Sequence, residues 1–303
     1  MAMIGSVISI LLIVVFNPEV EFWSERFESK DKEISVIAEP KVIFIGGSSC
    51  TFSVDPDTVD DIIGRPSYNF GGSAYMGAPY MFERVKPHIG KGDIVVVGYE
   101  PEILRNFGRF NYSPLGPRMA VRDMDLEIAT ELGLGVDTLP EWFKILRPGL
   151  RNTVVIAGRL VKGGKAYTYG SEDLKSKGRI ELQKIEYRIG PQRELEFNDL
   201  EDGVVRFLGE VMKFCESKGA HCIYTIPWQG TDVNFVGENR EIRKRFLSEI
   251  SRIMPVIPDS SVGVISGDKG FSDTAYHMGA ELSIARSTFL GKELAKLIEE
   301  EGL

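Results

Sequence analysis

The residues of this chain best suited to chemistry are two serines, an aspartate and a histidine. Val42–Ile45 is an apolar run that stops at Gly46 and Gly47 and leaves Ser48 and Ser49 on the turn that follows. A strand emptying into a glycine-rich turn with a hydroxyl at its tip suits an exposed nucleophile at the carboxyl edge of an open α/β sheet. Serine alone is a weak nucleophile and needs a base. Of the three histidines, His277 has Asp273 four residues upstream, an acid able to fix the imidazole tautomer and stabilise the imidazolium. His88 falls at a helix end and His221 at a strand start, on what should be the opposite edge of the sheet. Ser49 competes with Ser48, because a shift of one residue along the turn exchanges their roles. A second glycine-rich turn, Asn69–Ala74, offers N–H groups for an oxyanion, with Asn69, Gly72 and Ala74 as the candidates. Glu100 lies just past the strand Ile94–Val97 and so belongs to the same edge, as a substrate contact or as an ion-pair partner for an arginine.

Other chemistries fit less well. The serine turn would also suit a phosphate nest or a purely structural turn, but it carries neither the Gly-Lys-Ser/Thr of a P-loop nor a G-x-G-x-x-G opening a helix. No histidine or cysteine pair has metal-ligand spacing, so neither a metal nor a cofactor is expected. The formal net charge of −8, with acids and bases interspersed, argues against a nucleic-acid partner. Three cysteines are too few for a disulfide framework. Cys215 and Cys222 could pair in an oxidising compartment, yet Cys215 also continues the apolar series Val204, Leu208, Val211, which favours a buried thiol.

The elements that must position these residues read as an α/β succession. Lys41–Ile45, Ser67–Phe70, Ile94–Val97 and Cys222–Ile226 are expected strands, with Val262–Ile265 the last. Helices are expected over Asp55–Ile63, Tyr80–Ile89, Asp202–Lys218, Glu238–Met254 and Ala280–Glu300. Their alternation implies right-handed crossovers and a parallel sheet. Residues 102–200 break the rhythm with Pro-, Gly- and Arg-rich stretches and two expected helices, Asp125–Leu132 and Pro140–Leu146. They read as an insertion or cap over the active edge. Met1–Pro18 is uncharged and mostly apolar, and is expected to be an uncleaved membrane anchor; a buried core helix or strand is the alternative. Residues 19–39, charged but carrying Phe22, Trp23 and Phe27, are expected to be an interfacial exit helix or linker, leaving 40–303 as the main domain.

In this order, Phe-Ile-Gly-Gly-Ser-Ser, Val-Asp-Pro, Tyr-Asn-Phe-Gly and a late Phe-Ser-Asp-Thr-Ala-Tyr-His-Met resemble the SGNH/GDSL hydrolase superfamily. They look most like its membrane-anchored branch, found with bacterial cell-surface polysaccharide and teichoic-acid acylation systems. The resemblance covers about residues 40–104 and 202–300. It implies a three-layer α/β/α domain with a flavodoxin-like parallel sheet on an N-terminal membrane helix. It also implies Ser48 as nucleophile, His277 as base, Asp273 as its orienting acid, and the Ala74 N–H as an oxyanion donor. The implied reaction is O-acyl transfer to, or hydrolysis from, a cell-surface glycan, outside the cytoplasm at the cell membrane. Its implied partners are the glycan, membrane lipid and a membrane acyl-donor protein. The sequence departs from the pattern at Gly47, where the family has Asp, at Glu100, where it has Asn, and in the spacing of Asp273 and His277, one residue wider. The absent Asn and the replaced Asp favour the competing reading, an inactive membrane-tethered protein that kept the fold and binds or assembles; the retained Ser48, Asp273 and His277 oppose it. A third reading is a flavodoxin-like domain without an anchor.

Overall fold

The computed structural model describes residues 18–38, 40–105, 107, 115–123, 125–132, 169, 173–181, 199–267 and 269–302. Four strands form a parallel sheet: β1 (Val42–Gly46), β2 (Ser67–Asn69), β3 (Ile94–Gly98) and β4 (His221–Tyr224), in the order β2-β1-β3-β4. Val42 pairs with both Ser67 and Ile94, and Ile94 in turn with His221, so the strands run in step and their carboxyl ends share one edge.

Strand side chains alternate between faces, and two cores result. Ile43, Ile45, Val95 and Val97 belong to the larger core. Val42, Phe44, Ile94 and Val96 belong to the other. Both faces are therefore covered, which is why β1 and β3 read as unbroken apolar runs. Helix α1 (Pro18–Ser35), α4 (Ala78–Val85) and α8 (Asp202–Lys218) supply the first core. The closing helix α10 (Ala280–Glu301) supplies Leu290 and Leu294 to the second, packing against α3 (Pro56–Ile63) and α2 (Ser48–Ser53).

Several boundaries move from their expected places. The serine turn is the start of α2 itself: Ser48 is its first residue and Gly47 its N-cap, with extended backbone. The late strand β6 (Val264–Ser266) does not join the main sheet. It pairs in parallel with β5 (Gln229–Thr231), a short strand too polar to stand out in the sequence. Cys50, Cys215 and Cys222 are all buried free thiols.

Within the expected insertion, α5 (Pro101–Arg105), α6 (Leu115–Arg122) and α7 (Leu126–Glu131) are described. In α7 the Asp125 carboxylate caps the helix by accepting the Ile128 N–H at 3.0 Å. Residues 175–180 close the β2 edge, where the Ile180 N–H donates to the Thr51 carbonyl at 3.2 Å. The expected helix Pro140–Leu146 lies outside the described residues.

The N-terminal expectation needs correction. The expected span Met1–Pro18 lies outside the described residues apart from Pro18, and among the described residues no helix is long and apolar enough to cross a membrane. The expected interfacial exit helix is α1, folded onto the domain. Trp23 is 1% exposed and Phe27 0%, with the Phe27 ring against Phe70 at 5.4 Å. Aromatics that sit in a protein core do not form an interfacial belt. The membrane helix, the lipid and membrane-protein partners and the cell-membrane location are therefore withdrawn. The periodicity was the available signal: Val20, Trp23, Phe27, Lys30 and Ile34 recur at three- and four-residue spacing, the mark of a core-facing stripe.

Candidate active site

Three segments bring side chains to the carboxyl edge of the sheet. The first is the β1–α2 junction. Gly46 must approach β3 closely, since a Cβ there would fall 2.5 Å from the Gly98 carbonyl oxygen. The chain then turns into α2, with Ser48 half-buried and Ser49 buried. Ser48 lines a cavity of about 330 Å³. Ser49 instead lines a void of about 20 Å³ beside Cys50 and Arg286, room for roughly one water.

The second is the turn after β2. Asn69 is fully buried, and its amide nitrogen donates to the carbonyls of Cys50 at 2.8 Å and Val54 at 2.9 Å. Its Oδ1 accepts the Gly71 N–H at 3.0 Å. Asn69 thus ties the turn to the serine helix and does not line the cavity. The Gly72 N–H is engaged as well, donating to the Gly46 carbonyl at 2.9 Å. Ala74 opens a 3₁₀ turn capped by Ser73 and lines the cavity. The N–H groups of Ser48 and Ala74 have no partner among the described residues.

Lys30 of α1 holds this turn from behind, a role with no short-range signature. It is fully buried, and its Nζ donates to the Asn69 carbonyl at 2.8 Å and the Gly71 carbonyl at 2.6 Å. Burial, with Arg26 nearby, holds its pKa well below the ordinary lysine range.

The third is the loop before α10. An antiparallel bridge between Phe271 and Met278 closes it, and the Ser272 N–H donates to the His277 carbonyl at 2.7 Å. Within it, Thr274 Oγ1 accepts the His277 N–H at 3.1 Å. The Ser53 hydroxyl, on the serine helix, donates to the Tyr276 carbonyl at 2.9 Å. The Tyr276 hydroxyl donates to Glu102 at 2.7 Å and accepts from Arg243 at 3.0 Å. Arg243 itself is 1% exposed although its helix, α9 (Val236–Ile250), reads as strongly charged.

This scaffold sets the geometry of the acid and the histidine. His277 Nδ1 lies 2.6 Å from Asp273 Oδ1, and Tyr169 donates to the other carboxylate oxygen at 3.3 Å. Burial opposes the charge on Asp273, but the hydrogen bond and charge of His277 hold its carboxyl below the ordinary range. The imidazole is 5% exposed and rests on the Phe52 ring at 4.2 Å. Ser48 and His277 line the same cavity, and no hydrogen bond joins them; the imidazole Nε2 has no partner among the described residues. Trp23, Tyr75 and Tyr169 add an aromatic wall.

Glu100 completes the edge. It is 3% exposed, and its Oε1 accepts the Ser49 N–H at 2.8 Å, which supplies the cap that Gly47 cannot. Burial foremost, with the charge of Glu102, pushes its pKa up to about 7 against the pull of the Ser49 N–H. A Cβ on Gly47 would overlap Glu100 Oε2 and would meet Oε1 at 2.8 Å and the Ile103 Cδ1 at 2.5 Å. The two departures at Gly47 and Glu100 are therefore one feature: the carboxyl fills the space that a side chain at 47 would take. Among the described residues no cluster could hold a metal ion.

No protein-family model matches the chain, and no curated protein does. The short motifs therefore do not place the chain in the SGNH/GDSL superfamily or in its membrane-anchored branch.

Proposed function

We propose that the protein carries out serine-dependent acyl-ester chemistry at this cavity, passing an acyl group from an ester to water or to a sugar hydroxyl. The observation that carries the reading is the convergence of Ser48 and the Asp273-paired His277 on one cavity, at the edge where two N–H groups stand without partners. With Nδ1–H donating to Asp273, the neutral ring presents Nε2 as a base. Ser48 Oγ attacks the ester carbonyl as His277 Nε2 takes its proton, and the tetrahedral oxyanion is received by the Ser48 and Ala74 N–H groups. The proton then passes from His277 to the leaving alcohol, and the C–O bond breaks to leave an acyl-serine. Water or a second alcohol repeats the sequence in reverse. Apo hydrogen bonds of this kind commonly close only when substrate is bound. The wall of Trp23, Tyr75 and Tyr169 suits the apolar face of a sugar ring.

The unjoined Ser48 and His277 favour a second reading, a binding protein that uses the cavity without chemistry. Turnover of p-nitrophenyl acetate separates the two. Hydrolysis abolished by both Ser48→Ala and His277→Gln supports the enzyme. Equal rates in wild type and both variants leave the binding protein.

A further inference from the structure

Resting on the acyl-serine reading, we infer that Glu100 is a further catalytic residue: as a neutral carboxylic acid it donates its Oε2 hydrogen to the oxyanion formed when Ser48 attacks. A Gly47 Cβ would overlap Oε2, so Oε2 lies against the Gly47 backbone, one peptide from the Ser48 N–H. Glu100 also lines the cavity with Ser48 and Ala74. Oε1 is occupied by the Ser49 N–H, whereas Oε2 makes no well-formed hydrogen bond and has the equally buried Ser49 hydroxyl beside the carboxyl. A buried polar atom with no well-formed hydrogen bond at a candidate site calls for an explanation. An acid whose O–H meets its acceptor only in the transition state provides one.

The protonation state follows from the surroundings. Cys50 on α2, Tyr99 on the strand exit, Tyr224 on β4 and Tyr276 on the histidine loop act on or are acted on by Glu100, and burial pushes each of these above its ordinary range. They are neutral when Glu100 titrates, and the adjoining charge is Glu102, which disfavours a second carboxylate. Ionised, Glu100 would repel the oxyanion; neutral, it binds it. Apolar surroundings that keep a carboxylic acid protonated so that it can donate are an established route to oxyanion stabilisation. No proton leaves Glu100, so the reaction's atom balance is unchanged.

The test compares wild type, Glu100→Gln and Glu100→Leu, with p-nitrophenyl acetate as substrate across pH. Wild-type kcat/KM should fall about tenfold for each pH unit above about 7. Glu100→Gln, whose amide donates at every pH, should lose that limb and overtake wild type in alkali. Glu100→Leu should be slower by about 10²–10³ at pH 6. The protonated-carboxyl stretch in the infrared at pH 6 should be diminished in Glu100→Gln, a readout independent of turnover. A limb retained in Glu100→Gln, or no change in that infrared band, overturns the role. Wild type and Glu100→Gln should both be labelled at Ser48 by a fluorophosphonate. Labelling with the limb retained removes only the Glu100 role, whereas absence of label from wild-type Ser48 removes the reaction and the role together.

Discussion

Replacing Glu100 by Gln should stabilise the protein at neutral pH, and by more the higher the pH up to about 7. Burial raises this carboxyl from 4.5 to about 7, so between those values the folded chain keeps a proton that the unfolded chain has given up. The folded state binds more protons there, and stability falls as pH rises through that window. At 1.36 kcal/mol for each pH unit, the loss reaches roughly 3 kcal/mol and then levels off above about 7. Gln fills nearly the same volume, can still accept the Ser49 N–H and does not titrate. Other carboxylates titrate in both proteins, so their contributions cancel in the difference. Urea denaturation of both at steps between about pH 4.5 and 7.5 reads that difference directly. The variant should gain roughly 3 kcal/mol on wild type across the window, whatever constant offset its amide introduces. A difference flat with pH, or one running the other way, refutes a neutral buried Glu100.

Three other perturbations address the frame of the site. Gly47→Ala should destabilise by about 1–3 kcal/mol because its methyl overlaps the Glu100 carboxyl. The loss should shrink in a Glu100→Ala background, which a double-mutant cycle of denaturation midpoints measures. Lys30→Met removes the two Nζ hydrogen bonds to the carbonyls of Asn69 and Gly71, and should cost on the order of 3 kcal/mol by the same assay. Asp273→Asn should lower kcat by about 10⁴ with little change in KM, because the amide can turn its NH₂ to Nδ1 and hold the wrong tautomer, and it carries no charge to stabilise the imidazolium.

The parts of this protein legible in sequence are those fixed by local pattern. Val42–Ile45 and Ile94–Val97 read as strands because strands covered on both faces have no polar alternation. Asp202–Lys218 has its apolar face and a glycine in the left-handed conformation just past its end. Asp273 and His277 stand four residues apart, and a tight loop can join them. The parts that could not be read depend on residues distant in the chain. Gly47 and Glu100 look like unrelated departures until β1 and β3 lie side by side. Lys30 reads as one more charge on a charged helix, and only the fold reveals that it caps two carbonyls 39 and 41 residues away. Arg243 is hidden in the same manner, donating to the Pro227 carbonyl at 2.7 Å from a helix dominated by solvated charges. The uncharged stretch before α1 drew its aromatics into a membrane reading, although their spacing matched a core-facing stripe.

The most direct measurement on the proposed chemistry is covalent capture of the nucleophile. Full-length protein treated with a fluorophosphonate, then digested and mapped by mass spectrometry, should carry one adduct on Ser48, with Ser49 unmodified. Ser48→Ala should abolish it and His277→Gln should slow it strongly. An adduct on Ser49, or Ser48 left unmodified while the folded protein binds no probe, would contradict the account.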